Sequence, residues 1–373
     1  MQLGQHTSTG APGEPPLRGE FERLPLIDIS GLASPDLAFR KRTARELDHA
    51  ARSSGFFYVT EHGLARDLSE GLLHAIERFF GLPEAVKQRY YIGDSRNHRG
   101  YVPPGEETFY AGSKDTKEAF DLSLELPAND PDYVAGNRLL GPNRWPLEMP
   151  EFRLLVYAYY EAVVALGRRL LRGLALALEA PEDIFDEKLV KPPSQLRLIH
   201  YPAQPEESDR PGIGAHTDYE CFTILLATSP GLEVLNAAGR WIDAPPIPGA
   251  FVINIGDLFE VLSNGRWVST SHRVRRVCDE RYSAPLFFNL DYHTEIAPLA
   301  HLVERDGVAR YPSFRAGEHL FAQTAQSFGY LRREIERGEL ELPDNLPGKA
   351  AFLRDRSPAD AAAQGAPIAK VTG

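Results

Sequence analysis

His216 and Asp218 stand two residues apart, and His272 follows later in the chain. Two imidazoles and one carboxylate on one face of a metal leave the opposite positions open, as O2 chemistry at Fe(II) requires. Soon after His272 come Arg281 and Ser283, again two apart. A guanidinium fork beside a hydroxyl suits the carboxylate of a small co-substrate. Taken in order, these five residues point to a non-haem iron oxygenase.

Singly they say little. With eleven histidines in the chain, about one His-x-Asp pair is expected by chance, and a lone His216 reads as a surface histidine near a turn. Arg281 could equally lay its stem on the surface and reach solvent. The ordered set gains weight from the elements around it, because residues i and i+2 of a strand share a face. Both pairs then present their side chains to one surface. An arginine turned into such a pocket is disfavoured unless it meets a carboxylate, and no acid stands near Arg281 in an obvious pairing position.

Strands are what the second half predicts. Short alternating runs at 195–201, 213–217, 222–228, 232–236, 240–243, 250–256, 267–275 and 283–290 are separated by Gly, Pro and Asn turns. That spacing favours a sandwich, barrel or jelly roll over a parallel sheet with crossover helices. Before it, 24–30 and 55–60 read as strands, and 36–54, 65–80 and 83–90 as helices. A Gly- and Pro-rich stretch at 91–149 reads as loop covering part of a site. A long helix spans 150–179, with Leu154, Tyr157, Ala158, Val164, Leu171 and Leu174 on its apolar side. Residues 317–338 predict a late charged helix. The expected organisation is an unstructured tail at 1–20, a helical region with the first strands at 21–190, a jelly-roll core at 191–310, a helical region at 311–355 and a second tail at 356–373.

The 373 residues are 43% hydrophobic and 25% charged, the composition of an ordinary globular protein. A net charge of −11 argues against a nucleic-acid partner, which calls for a basic face. There is no apolar run long enough to span a membrane and no secretory signal, and the two cysteines, Cys221 and Cys278, read as free core thiols. A cytoplasmic enzyme is the plain expectation.

The segment 195–290 resembles the Fe(II)/2-oxoglutarate-dependent dioxygenases, in the isopenicillin N synthase-like branch. The matching pieces are Arg197–Pro202, Gly214–Tyr219, Ile255–Asp257, Ser269–Val274 and Arg281–Pro285, with Pro25–Ile29 and Gly55–Gly63 further forward. The resemblance implies a distorted double-stranded β-helix core with helices and an N-terminal α/β region packed outside it. It implies iron ligands at His216, Asp218 and His272. Arg281 and Ser283 match the pair that binds the distal carboxylate of 2-oxoglutarate, and Tyr201 matches a tyrosine that helps place it. Ile199 stands where plant members often carry Asn, so contacts near the keto-acid end differ. The implied cofactors are Fe(II), 2-oxoglutarate and O2, with ascorbate as reductant, and the products are succinate and CO2. Retention of Asp218 speaks against halogenation.

Substrate contacts are open at the level of sequence. Arg197 shares a strand face with Tyr201 and either pairs an anionic substrate group or forms an outer salt bridge. Phe222 and Phe287 either wall the pocket or fill the core, and Phe109 with Tyr110 could form a lid. His200 and His293 lie beside motifs but in positions that suit structural roles. A small molecule, such as an amino acid or natural-product intermediate, is the expected substrate, to be hydroxylated, desaturated or cyclised. The rivals are an isopenicillin N synthase-like oxidase, an ethylene-forming enzyme, a metal-holding jelly-roll sensor and a zinc hydrolase.

Overall fold

The computed structural model describes residues 19–108, 116–205 and 211–343. The tail expected at 356–373, nearly all of that at 1–20, and Phe109 and Tyr110 lie outside the described residues.

Fourteen strands in chain order occur among the described residues. They are β1 Leu26–Asp28, β2 Phe56–Thr60, β3 Gly100–Val102, β4 Glu118–Leu122, β5 Gln195–Tyr201, β6 Ile213–His216 and β7 Phe222–Ala227. There follow β8 Leu232–Leu235, β9 Trp241–Asp243, β10 Phe251–Ile255, β11 His272–Val274, β12 Arg281–Phe288, β13 Glu295–Ile296 and β14 Phe314–Arg315. The helices are α1 Leu37–Ser53, α2 Arg66–Phe80, α3 Glu84–Lys87, α4 Pro131–Val134, α5 Pro150–Ala177, α6 Asp257–Leu262, α7 Ala300–Asp306, α8 Ala316–Ser327 and α9 Gly329–Glu336.

A major sheet runs β1-β2-β10-β7-β12-β5-β4-β3, and a minor one runs β6-β11-β8-β9. Alternation divides the major sheet into two faces. Leu196, Leu198, Phe222, Ile224, Leu286 and Phe288 join the buried core with α1, α2 and α5. Their alternates (Gln195, Arg197, Ile199, Tyr201, Thr223, Leu225, Ser283 and Phe287) line a cavity whose other wall includes His216, Leu232, His272 and Val274 of the minor sheet. This is the jelly-roll arrangement expected, with helices on its outer side.

Helix α5 buries Phe152, Val156, Tyr159, Val163, Leu170 and Leu174, a stripe at the 3.6-residue period. Gly167 lies in that stripe, and a Cβ there would come within 2.3 Å of the Phe288 ring, so glycine is what lets α5 approach β12. Leu154, expected on the buried side, is instead exposed, because it sits off the stripe set by Phe152 and Val156.

Other expectations are corrected as well. The stretch 91–149 is not all loop: β3 and β4 extend the major sheet beyond β5, while β1 and β2 extend it at the far edge. The N-terminal strands therefore continue the core sheet, and it is the helices that pack outside. The strand expected over 267–275 is restricted to β11, preceded by α6. The late helix breaks at Phe328, whose extended backbone (φ −91°, ψ 131°) separates α8 from α9. Cys221 is a buried thiol as expected, whereas Cys278 is exposed.

Candidate active site

His216 ends β6 and faces His272, which begins β11, as directly paired residues of two antiparallel strands. Their ring centroids are 4.3 Å apart. His216 Nδ1 lies 2.8 Å from the Gly214 carbonyl and His272 Nδ1 lies 3.2 Å from the Thr270 carbonyl. A proton on each Nδ1 completes those bonds and leaves both Nε2 lone pairs directed elsewhere. The Phe56 ring packs edge-on against His272 at 5.1 Å and limits its rotation.

Asp218 lies two residues beyond His216 but outside the strand, so the shared face expected from strand parity is not what positions it. The carboxylate is held by partners instead. Asn254 Nδ2 of β10 donates to Oδ2 at 2.7 Å, and Thr223 Oγ1 of β7 donates to the same oxygen in a short bond. The Asp257 N–H donates to the Asp218 carbonyl at 2.9 Å, tying the turn to the start of α6. Oδ1 is thereby turned toward the two imidazoles, 3.7 Å from His216 Nε2 and 3.6 Å from His272 Nε2. One ligand atom from each of the three residues lies within 4.8 Å of the others.

Burial works to raise the Asp218 carboxyl, but the His272 and His216 imidazoles and the two hydrogen bonds outweigh it and hold it below its usual range. Burial, followed by the neighbouring His272, pushes His216 down. A carboxylate beside two imidazoles whose Nε2 atoms face it is the donor set that suits Fe(II), so the residues present fit a ferrous ion. Thr223 and Asn254 were not singled out from sequence, although an asparagine inside the apolar run Phe251–Ile255 was a readable sign of a buried polar role. Replacing Asn254 with alanine should weaken Fe(II) binding by about 10–100-fold, measured by anaerobic titration, because the carboxylate loses one of two orienting donors.

Arg281 opens β12 and pairs with Tyr201 of β5, and Ser283 pairs with Ile199. The Arg281 guanidinium is 1% exposed and lies 4.6 Å from the centre of the Tyr201 ring. It donates through Nη1 to Ser283 Oγ and through Nε to the Ser229 carbonyl, both at 3.3 Å. None of these described partners is an acid. A buried cation with long, neutral contacts and its fork facing a cavity is built to receive a carboxylate.

Of the substrate contacts expected from sequence, Phe222 lies away from the cavity and Arg197 lies in its wall. Phe222 is fully buried on the opposite face of β7, stacked on Phe288 at 4.9 Å, since the odd-numbered Thr223 and Leu225 take the cavity face. Arg197 does face the cavity, but its charge is already matched. Nε and Nη2 each donate to Asp121 at 2.8 Å, and Nη1 donates to both oxygens of Glu107 at 2.9 Å. Asp121 comes from β4, within the stretch read as loop, so sequence parity could not reveal it. Of the two places left open for Phe287, the structure puts it in the cavity lining. His200 is bound to Glu118 and Glu280, and His293 to Asp132, which are structural contacts away from the cavity.

Comparison with known proteins agrees with this geometry. Residues 192–290 match the profile of the 2OG-Fe(II) oxygenase superfamily, and residues 24–148 match the N-terminal profile described as non-haem dioxygenase in morphine synthesis. A 2-oxoglutarate-Fe(II) type oxidoreductase of Emericella nidulans, hxnY, is 34% identical over 85% of this chain and 93% of its own. A homoarginine-6-hydroxylase of Oryza sativa is 35% identical over 83% of this chain and 98% of its own. Among solved structures, Neurospora crassa T7H in complex with alpha-KG and thymine superposes with a TM-score of 0.73 at 26% identity, covering 84% of this chain and all of that one. A 2OG-Fe(II) oxygenase family protein from Caulobacter crescentus gives 0.73 at 31% identity, over 82% and 99%.

The chain belongs to the 2OG-Fe(II) oxygenase superfamily. It is a non-haem oxidoreductase that uses Fe(II) and 2-oxoglutarate. Among the described residues, no helix is long and apolar enough to cross a membrane.

Proposed function

We propose that the chain oxidises a small organic molecule in the cavity between the two sheets, with His216, Asp218 and His272 holding Fe(II) and Arg281 and Ser283 holding the distal carboxylate of 2-oxoglutarate. Iron and 2-oxoglutarate bound there supply O2 activation coupled to loss of CO2 and formation of succinate. The chain's own residues do the rest. The backbone carbonyls at Gly214 and Thr270 fix the imidazoles, Thr223 and Asn254 fix the carboxylate, and Tyr201 covers one side of the guanidinium. Apolar residues such as Leu225, Leu232 and Val274 surround the cavity and thin out its water, which strengthens the guanidinium–carboxylate attraction.

The observation that carries this reading is the pairing of three convergent donors with a buried arginine that has no acid among its described partners, in one cavity. Homoarginine and thymine, the molecules named for similar proteins, are the first candidates to try, with other amino acids and natural-product intermediates after them. The test is Fe(II)-dependent release of succinate when candidate and 2-oxoglutarate are supplied together. Substrate-linked O2 uptake that needs no 2-oxoglutarate would sink this reading in favour of an oxidase, and ethylene in the headspace would point to the third reaction.

A further inference from the structure

Building on the reaction proposed above, we propose that Glu107 is a specificity-determining residue that anchors the substrate by accepting a hydrogen bond from its N–H or O–H group, so that amide, amidine or amine nitrogen is taken at this wall and a carboxylate is refused.

The cavity face of β5 carries Tyr201, Ile199, Arg197 and Gln195 in sequence. Tyr201 pairs with Arg281, at the end that receives 2-oxoglutarate. Arg197 lies four residues along, about 13 Å at the usual strand rise. Its wall is therefore beyond the carboxylate held at Arg281, where a second molecule has room.

What that wall offers is decided by how Arg197 is used. Asp121 takes Nε and Nη2 in a parallel two-bond fork, and Glu107 takes Nη1. The Phe328 ring lies 5.4 Å from the guanidinium carbon. No bidentate edge remains for a substrate carboxylate. Asp121 is fully buried and does not reach the cavity, whereas Glu107 lines it.

Glu107 accepts from Arg197 at both oxygens and from Lys117 Nζ at Oε2, 2.7 Å away. A carboxylate has about four acceptor positions, and three are taken among the described residues, so this one can take a further donor. Burial would raise its carboxyl, but Arg197 and Lys117 outweigh that and bring it down to about 2, leaving an acceptor with no proton to give at neutral pH. An anion brought against it meets like charge away from bulk water.

The position is also rigid. Glu107 bridges to Phe328 as an antiparallel pair, Thr108 N–H donates to the Ser327 carbonyl at 3.0 Å, and Gly329 N–H donates to the Glu106 carbonyl at 2.8 Å. The segment bearing Glu107 is stitched to the junction of α8 and α9, whose Leu320, Thr324 and Ser327 close the same cavity.

The test uses matched fragments, namely benzamide, benzamidine and benzoate with their cyclohexane counterparts. Each is titrated calorimetrically into the full chain loaded with Fe(II) and saturating 2-oxoglutarate under argon, so that the Arg281 position is filled. The amide and amidine members should bind at least about 10-fold more tightly than the matched carboxylates, and Glu107→Gln should shrink that ratio by about 10-fold or more. Glu107→Asp, which keeps the charge, should preserve the order. Carboxylates binding as well as the amides, an unchanged ratio in a folded Glu107→Gln, or no fragment binding at all would overturn the assignment. The wild-type order stands as a test even if the glutamine variant misfolds. Failure of the wild-type protein to bind 2-oxoglutarate would instead strike at the reaction itself, and that is read from the loading step before any fragment is added.

Discussion

Arg281→Leu is expected to weaken 2-oxoglutarate binding by tens- to thousands-fold while leaving the ligand-free protein as stable as before, or more so. Truncating one partner of a buried, hydrogen-bonded charge pair costs about 2–5 kcal/mol of binding. In the free protein the same guanidinium is 1% exposed and contacts only Ser283, the Ser229 carbonyl and the Tyr201 ring among described partners. A buried charge without its counter-charge is a liability to the fold, so a shorter, apolar leucine removes a desolvation cost there. The two effects have opposite signs, and this separates a ligand-binding arginine from a structural one. Melting curves with and without 2-oxoglutarate check both at once. The wild-type midpoint should rise with the keto acid and the variant's should not. Arg281→Lys should recover little, because a point charge cannot reproduce the planar fork. A variant that loses stability in the absence of ligand, yet binds 2-oxoglutarate as before, would show that the arginine serves the sheet.

His272→Ala should abolish Fe(II)-dependent turnover, with a loss of metal affinity larger than the ~10–100-fold expected for removing an outer partner such as Asn254. Only His216 and Asp218 would remain, and they come from one end of β6 and the turn after it. The missing imidazole is the only one of the three donors supplied by β11, so no neighbouring side chain in the described triad can replace it. Anaerobic titration with Fe(II) and 2-oxoglutarate is the measurement. The weak visible band of a keto acid on ferrous iron should grow in the wild type and be missing in the variant. Unfolding of the variant is checked by circular dichroism, since His272 also packs against Phe56 in the wall of the cavity. A folded His272→Ala protein that still developed the band would remove His272 from the ligand set.

Much of the architecture was legible because period-two alternation is a local signal. The runs at 195–201, 222–228, 232–236 and 250–256 lie within about a residue of β5, β7, β8 and β10. Among the strands missed, β3 and β4 are three and five residues long in a stretch dense with Gly and Pro, and they become strands because β4 pairs with β5 at a distance in sequence and β3 then pairs with β4. Parity read the cavity face of β5 correctly through Tyr201 and Arg197. Phe222, left open between pocket and core, falls to the core, since one residue of offset moves a side chain from one face to the other. Parity offered the wrong reason for His216 and Asp218 acting together, since Asp218 is aimed by Asn254 and Thr223 and not by a strand.

By itself, the order of residue types set out the candidates: side chains suited to a ferrous ion, side chains suited to a keto-diacid, and alternating strands around them. Only the tertiary structure decided how the charges are spent. Arg197 and Arg281 lie on neighbouring strands and face one cavity, yet the first is matched by Asp121 and Glu107 and the second by no described acid. Nothing local distinguishes them, because a counter-charge acts through space over a few ångströms, and the chain brings residues 76 and 90 positions distant to Arg197 only by folding.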